Sequence, residues 1–154
     1  MARSAQPGPL TLVIRPATAE DAFGISELLG TMGYPCPAEE AAQRVLDLRE
    51  DENQTLLVAD AQGTLAGMVC CDLTYYLPLG AQTCRITALA VSPTVQRQGI
   101  GRVLLREAEA LARACGAVRI ELTSASHRHD AHDFYRACGY GEGAVRFVKR
   151  LGDA

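Results

Sequence analysis

The stretch Gln96-Arg97-Gln98-Gly99-Ile100-Gly101 constrains this chain more than any other. It lies between an apolar β-type run ending at Val91 and an amphipathic pattern reaching about Ala114, so a strand must turn through two glycines into a helix. Such a turn leaves several backbone N–H groups unpaired at the positive end of the helix macrodipole, which makes it a candidate cradle for a pyrophosphate. Gly99 and Gly101 let the main chain close on an anion without a Cβ in the way. The same glycines would also suit an ordinary turn that only relieves strain, and the turn by itself does not separate the two readings.

A length of 154 residues suits one domain, expected over residues 10–152 behind a frayed stretch at residues 1–9. Hydrophobic residues make up 48% and charged residues 21%, a globular balance rather than a disordered one. With a formal net charge of -3 and scattered arginines, the chain carries no stripe suited to nucleic acid, and no such partner is expected. No apolar run approaches the ~18 residues of a membrane span, and residues 1–9 lack the apolar centre of a secretory signal. A cytoplasmic location without membrane attachment is therefore expected. The six cysteines (Cys36, Cys70, Cys71, Cys84, Cys115 and Cys138) show no Cys-x-x-Cys spacing and read as reduced, small core residues.

Periodicity orders the elements. Leu10 to Arg15 reads as a strand ended by Pro16, and Thr18 as the N-cap of a helix carrying Phe23, Ile25, Leu28, Leu29 and Met32. After the break at Gly33-Tyr34-Pro35 a second helix runs from about Ala38 to Arg49. Thr55–Asp60 and Leu65–Leu73 form a hairpin about Ala61-Gln62-Gly63, a loop covers Tyr75–Gln82, and Cys84–Val91 is the next strand. Then follow a helix to Ala114, a strand Val118–Thr123, a short helix Asp130–Cys138 and a last strand Val145–Lys149. The order predicts an α/β fold with a mixed sheet rather than a repeat or a βαβ barrel.

Two motifs carry a family resemblance. Gln96, Gly99 and Gly101, following Ile86-Thr87-Ala88-Leu89-Ala90-Val91, resemble the Gln/Arg-x-x-Gly-x-Gly/Ala signature of the GNAT superfamily of N-acetyltransferases. Ala131-His132-Asp133-Phe134-Tyr135 with Gly139-Tyr140 is similar to that family's downstream segment. Within the superfamily, His127 to Tyr135 together with Arg146-Phe147-Val148-Lys149 resembles the aminoalkylphosphonate N-acetyltransferase branch. The likeness implies the GNAT fold: a mixed central sheet splayed between strands four and five, with helices on both faces. It also implies an acyltransferase that uses acetyl-CoA as cosubstrate and a small-molecule primary amine as acceptor, with a homodimer as the expected assembly.

The resemblance assigns roles by position. Leu89, Ala90 and Val91 offer backbone hydrogen bonds to the pantetheine arm, and the amide of Leu89 receives the developing oxyanion. Gln96, Arg97, Gln98, Gly99, Ile100, Gly101 and Arg102 hold the pyrophosphate, with Arg128 and Phe134 also on the cofactor side. Arg128 is equally placed to meet an acidic group on the acceptor. Tyr135 occupies the position of the general acid that protonates the leaving thiolate. Tyr34, Tyr75 and Tyr76, in loops that frame the acceptor in this family, are candidates for an aromatic wall.

The chain departs from the family in two places. Strand four, Arg85-Ile86-Thr87-Ala88-Leu89, has no carboxylate to act as base, which leaves Glu121, Asp72 and His127 as candidates. The asparagine that usually precedes the second motif is replaced, with Arg128 near its place. Two other functions start from the same residues. His127, His129 and His132, beside Asp130 and Asp133, suggest a zinc-dependent hydrolase, although Ala131 stands where a His-x-His-x-Asp-His pattern needs its aspartate. A non-catalytic acetyl-CoA-binding module keeps the fold and drops the chemistry. Metal-free acetyl transfer is the expectation taken forward.

Overall fold

The computed structural model describes residues 11–124 and 128–152. The expected frayed stretch at residues 1–9, Leu10 of the expected first strand, and His127 lie outside them. The chain divides between Thr123 and Ser124 into two compact units. In the first, strands β1 (Val13–Pro16), β2 (Gln54–Ala61), β3 (Thr64–Tyr76), β4 (Ala81–Val91) and β5 (Ile120–Leu122) form one sheet in that order. The first four are antiparallel, and β5 joins β4 in parallel. Helices α1 (Ala22–Thr31) and α2 (Ala38–Glu50) precede β2, and α3 (Ile100–Ala114) connects β4 to β5.

Two adjacent residues of β3 show how the layers are built. Successive side chains on a strand point to opposite faces. Met68 packs with Ile25 and Leu28 of α1, Ala41 and Val45 of α2, and Val58 and Ala90 of the sheet. Gly67 faces the other way, where an added Cβ would lie 2.9 Å from Leu104 Cδ1 of α3. Its missing side chain is what lets that helix sit close to the sheet. The apolar side of α3 (Ile100, Leu104, Leu105, Ala108, Ala112) is buried at helical spacing. Burying each of its leucines stabilises the unit by roughly 1.5–3 kcal/mol relative to exposure.

An ion-pair group ties β1 to the start of α1. Arg15 donates from Nη1 and Nη2 to both carboxylate oxygens of Asp21, at 2.8 and 2.7 Å, and from Nε to Asp60 Oδ2 at 3.2 Å. The Asp21 carboxylate also accepts the Thr18 N–H at 2.8 Å. Thr18 thus stands at the entrance as expected, but a short 3-10 turn, Ala19–Asp21, intervenes before α1 begins.

The second unit contains α4 (His129–Ala137). Its end is fixed by two backbone bonds, Gly139 N–H to Arg136 O and Tyr140 N–H to Tyr135 O, both 3.0 Å. Gly139 has a φ of 93°, the left-handed conformation this helix stop requires.

Three expectations change. The hairpin after β3 is tighter than the predicted Tyr75–Gln82 loop, because β3 and β4 stay paired out to Tyr76 and Ala81. Residues Val145–Lys149 are not a strand: Val145, Phe147 and Val148 are 78%, 92% and 67% exposed. Alternating apolar residues form a strand only beside another strand, and among the described residues no strand pairs with this segment. All six cysteines are free thiols, but only Cys36, Cys70, Cys71 and Cys84 are buried, with Cys138 half-buried and Cys115 exposed.

Candidate active site

Strand β4 changes its hydrogen-bonding direction halfway along. Near its start, Cys84 donates its N–H to Arg119 O, at the threshold of β5 (2.8 Å). Just past its end, Ser92 donates its N–H the other way, to Ala66 O of β3 (2.8 Å). Both residues are even-numbered, so an odd number of residues must have been inserted between them for the parity to flip. The register locates the insertion: Cys70 opposes Ala88 while Cys71 opposes Ile86, which leaves Thr87 as the bulge residue. The Thr87 hydroxyl donates to Cys70 O at 3.4 Å.

The bulge has two consequences. Pairing with β5 ends at Ile86–Leu122, so the rest of β4 has no sheet neighbour on that side among the described residues. Beyond the bulge, Leu89 and Val91 direct their N–H and C=O groups to this open edge, because their neighbours are committed to β3. Ala90 is one of those neighbours: a Cβ on Gly67 would lie 2.7 Å from Ala90 O. The expectation that Leu89, Ala90 and Val91 all offer backbone bonds to a pantetheine arm is therefore corrected. Alternation reserves Ala90 for β3.

The glycine turn follows directly. After Ser92 the chain makes a short 3-10 turn, Pro93–Val95, passes exposed Gln96, Arg97 and Gln98, and enters α3. Arg97 and Gly99 both adopt left-handed φ, 68° and 78°. No side chain caps the helix; Gly99 O takes the Val103 N–H at 3.1 Å. The first-turn N–H groups of Ile100, Gly101 and Arg102 therefore have no intrahelical acceptor, the arrangement an anion fills. Ile100 itself is buried, so only its backbone is offered.

In the second unit, half-buried Tyr135 lies between two aromatic neighbours. Its ring centroid is 5.4 Å from that of Phe134 and 6.2 Å from that of Tyr140. Burial pushes its phenol above the usual tyrosine value, with the positive charge of Arg128 pulling the other way. Tyr135 thus holds its proton at neutral pH. Arg128 is exposed and precedes α4, beside a shallow cleft it shares with His129, Asp130 and Ala131. The rings of His129 and His132 meet edge to face at 5.7 Å, and Asp133 pairs with Arg136 at 3.2 Å. Among the described residues no three His, Cys, Asp or Glu side chains are grouped to hold a metal ion.

The aromatic wall does not form as expected. Tyr75 and Tyr76 are consecutive ladder residues of β3 and project to opposite faces of the sheet. Tyr76 lies under the Arg119 guanidinium, 4.7 Å from its ring centroid, while Tyr34 is exposed in the connection between α1 and α2. Of the base candidates, Asp72 accepts a bond from Thr74 Oγ1 at 3.3 Å, and Glu121 pairs with Arg119 at 3.4 Å. Asp72 and Glu121 flank Arg85 in the ladder, which spacing along the chain did not reveal.

A family model described as the acetyltransferase (GNAT) family matches residues 24–140, and the chain belongs to this family of acyltransferases. It is 32% identical over 143 residues to an aminoalkylphosphonate N-acetyltransferase of Salmonella typhimurium, a match that covers 90% of each chain. Among solved structures, a transcriptional regulator from Bacillus halodurans superposes with a TM-score of 0.83 at 26% identity, covering 92% of this chain and 100% of that one. The aminoglycoside N-acetyltransferase AAC(6')-Iy in complex with CoA has the same fold, with a TM-score of 0.82 at 13% identity over 96% of this chain and 99% of that one.

Proposed function

We propose that this enzyme transfers the acetyl group of acetyl-CoA to the primary amine of a small molecule by direct attack in a ternary complex. The observation that carries the reading is the bulge at Thr87, which turns the backbone groups of Leu89 and Val91 toward an edge that β5 no longer covers. An extended amide-bearing arm can bind there as a strand would. In this reading the amides of Arg97 through Arg102 take the pyrophosphate, Gln96 and Phe134 border the cofactor, and Arg128 adds a charge-assisted contact. A structural neighbour of the same fold binds CoA, which supports the choice.

Each residue then has one task. The Leu89 N–H stabilises the charge that develops on the carbonyl oxygen when the amine nitrogen bonds to the acyl carbon. As the C–S bond breaks, the Tyr135 hydroxyl gives its proton to the sulfur. The acceptor's amine gives up its proton to solvent water, and no metal takes part. The relative acting on aminoalkylphosphonates supports a small acceptor over a protein. We also infer a cytoplasmic enzyme that works as a homodimer without nucleic acid; its six free thiols suit a reducing compartment. No helix of the described residues is long and apolar enough to cross a membrane.

The test follows free thiol and acetylated product together, with acetyl-CoA and a panel of aminoalkylphosphonates, amino acids, polyamines and peptide N-termini. Stoichiometric release of thiol and N-acetyl product that survives exhaustive chelation is the expected result. Thiol release without any acetylated amine, or a rate restored only by zinc, would replace this reading with hydrolysis at the histidine cluster.

A further inference from the structure

One polar row of the sheet crosses four strands and carries charge on three of them. Gln54 of β2 opposes Asp72 of β3, Asp72 opposes Arg85 of β4, and Arg85 opposes Glu121 of β5. Residues opposite one another in a ladder project to the same side. Asp72 is four residues from Met68 on an unbroken stretch of β3, so the row lies on the face that α1 and α2 cover farther along. At the Gln54 end it meets a cleft of about 250 Å³ between α2 and β2, bordered by Leu48, Arg49 and Leu56. At the other end it reaches β5 one residue before the β4–β5 pairing stops.

The row sets one guanidinium between two carboxylates. Glu121 has one oxygen toward Arg119, itself stacked on Tyr76, and among the described residues Asp72 accepts from the Thr74 hydroxyl alone. Arg85 is exposed and makes no side-chain hydrogen bond or ion pair among the described residues. An arginine left unpaired between two carboxylates, at the place where the sheet opens, is free to meet a ligand. Its planar fork suits a carboxylate or phosphonate, which it can hold through two parallel bonds.

We propose that Arg85 determines acceptor specificity by holding the oxyanion of a zwitterionic acceptor while Glu121, one strand over, holds its ammonium group. Neighbouring strands lie about 4.8 Å apart, which matches an amine and an acid separated by a short carbon chain. The pair selects small amines that carry an acidic group, and the inference rests on the acetyl-transfer reading only for where the amine then reacts.

The experiment compares wild type, Arg85→Gln and Arg85→Lys with β-alanine, 2-aminoethylphosphonate, ethanolamine and n-propylamine. Initial rates give the ratio of kcat/KM for acidic over neutral amines, and calorimetry in the presence of CoA gives the same preference without turnover. In wild type the acidic amines are preferred; in Arg85→Gln the preference falls at least tenfold, and Arg85→Lys restores part of it. The β-alanine and 2-aminoethylphosphonate arms show whether carboxylate or phosphonate is the better fit. Glu121→Gln weakens all four amines. An acidic preference in binding that Arg85→Gln abolishes, with no acetyl transfer to any amine, would sink the transferase reading and keep the subsite. The same preference in wild type and Arg85→Gln, or none in wild type, overturns the proposal.

Discussion

Cys84 and Ser92 direct their backbone N–H groups to opposite sides of one strand path, Cys84 to Arg119 O and Ser92 to Ala66 O, both at 2.8 Å. A regular strand cannot do this between two even-numbered positions. The extra residue, Thr87, leaves Leu89 and Val91 facing outward just before the chain turns into α3. The open edge of β4 and the glycine turn thus follow from a single insertion and the few residues after it.

Gly99 has a φ of 78° at the entrance to α3, with no atom within 4 Å of where its Cβ would be. Room is available, but a β-branched side chain does not tolerate this conformation, and the turn must reorganise. Gly99→Val should raise the dissociation constant for acetyl-CoA at least tenfold, about 1.4 kcal/mol, in a protein that still melts cooperatively. Unchanged affinity in a folded variant would remove the turn from the cofactor site.

Tyr135→Phe keeps the ring contacts with Phe134 and Tyr140 and deletes only the hydroxyl. An acid role predicts normal melting and normal acetyl-CoA affinity, with kcat lower by roughly 10²-fold or more. Because burial raises the Tyr135 phenol, its loss of a proton should limit kcat only above about pH 10 in the wild type. Full activity in the variant would dismiss Tyr135 as the proton donor.

At Gly67 the constraint is space rather than conformation. A Cβ there would lie 2.7 Å from Ala90 O and 2.9 Å from Leu104 Cδ1, so either β4 or α3 must move. Gly67→Ala should cost roughly 1–3 kcal/mol, measured by denaturant unfolding. Displacement of β4 would carry Leu89 and Val91 with it and displacement of α3 would shift the glycine turn, so acetyl-CoA affinity should fall as well. A variant with wild-type stability would show that the layers are less closely set than described.

Arg15 holds the Asp21 carboxyl below its usual value, chiefly through their hydrogen bonds. A carboxylate depressed by folding stabilises the protein above its unfolded value of about 3.9, and this contribution disappears as pH falls through the folded value. Asp21→Asn should cost about 1–2 kcal/mol at pH 7, since Arg15 is only partly buried, and much less near pH 2. Equal destabilisation at both pH values would show that the pair's charge contributes nothing.

What the sequence determined by itself was the order of elements and the two motifs. Helical and strand periodicities, glycine turns and the strand-turn-helix at Val91–Gly101 are local, so α1, α2, α3, α4 and β2 to β5 fall near their expected places. The turn at Gln96–Arg102 and the place of Tyr135 on α4 were legible as local structure for the same reason, while their roles stay proposals. The segment Val145–Lys149 failed the same test, because an alternating pattern records only what a strand needs and says nothing of whether a partner is present. Register belonged to the tertiary structure alone. Which residue of β4 opposes Cys70, where Thr87 is squeezed out, why Ala90 turns to β3 while Leu89 and Val91 turn away, and that Asp72, Arg85 and Glu121 share a row all depend on how strands far apart in the chain align. A one-residue slip reverses every one of those directions, and no local preference distinguishes the two alignments; the packing of Met68 against α1 and α2, with Gly67 against α3, selects between them.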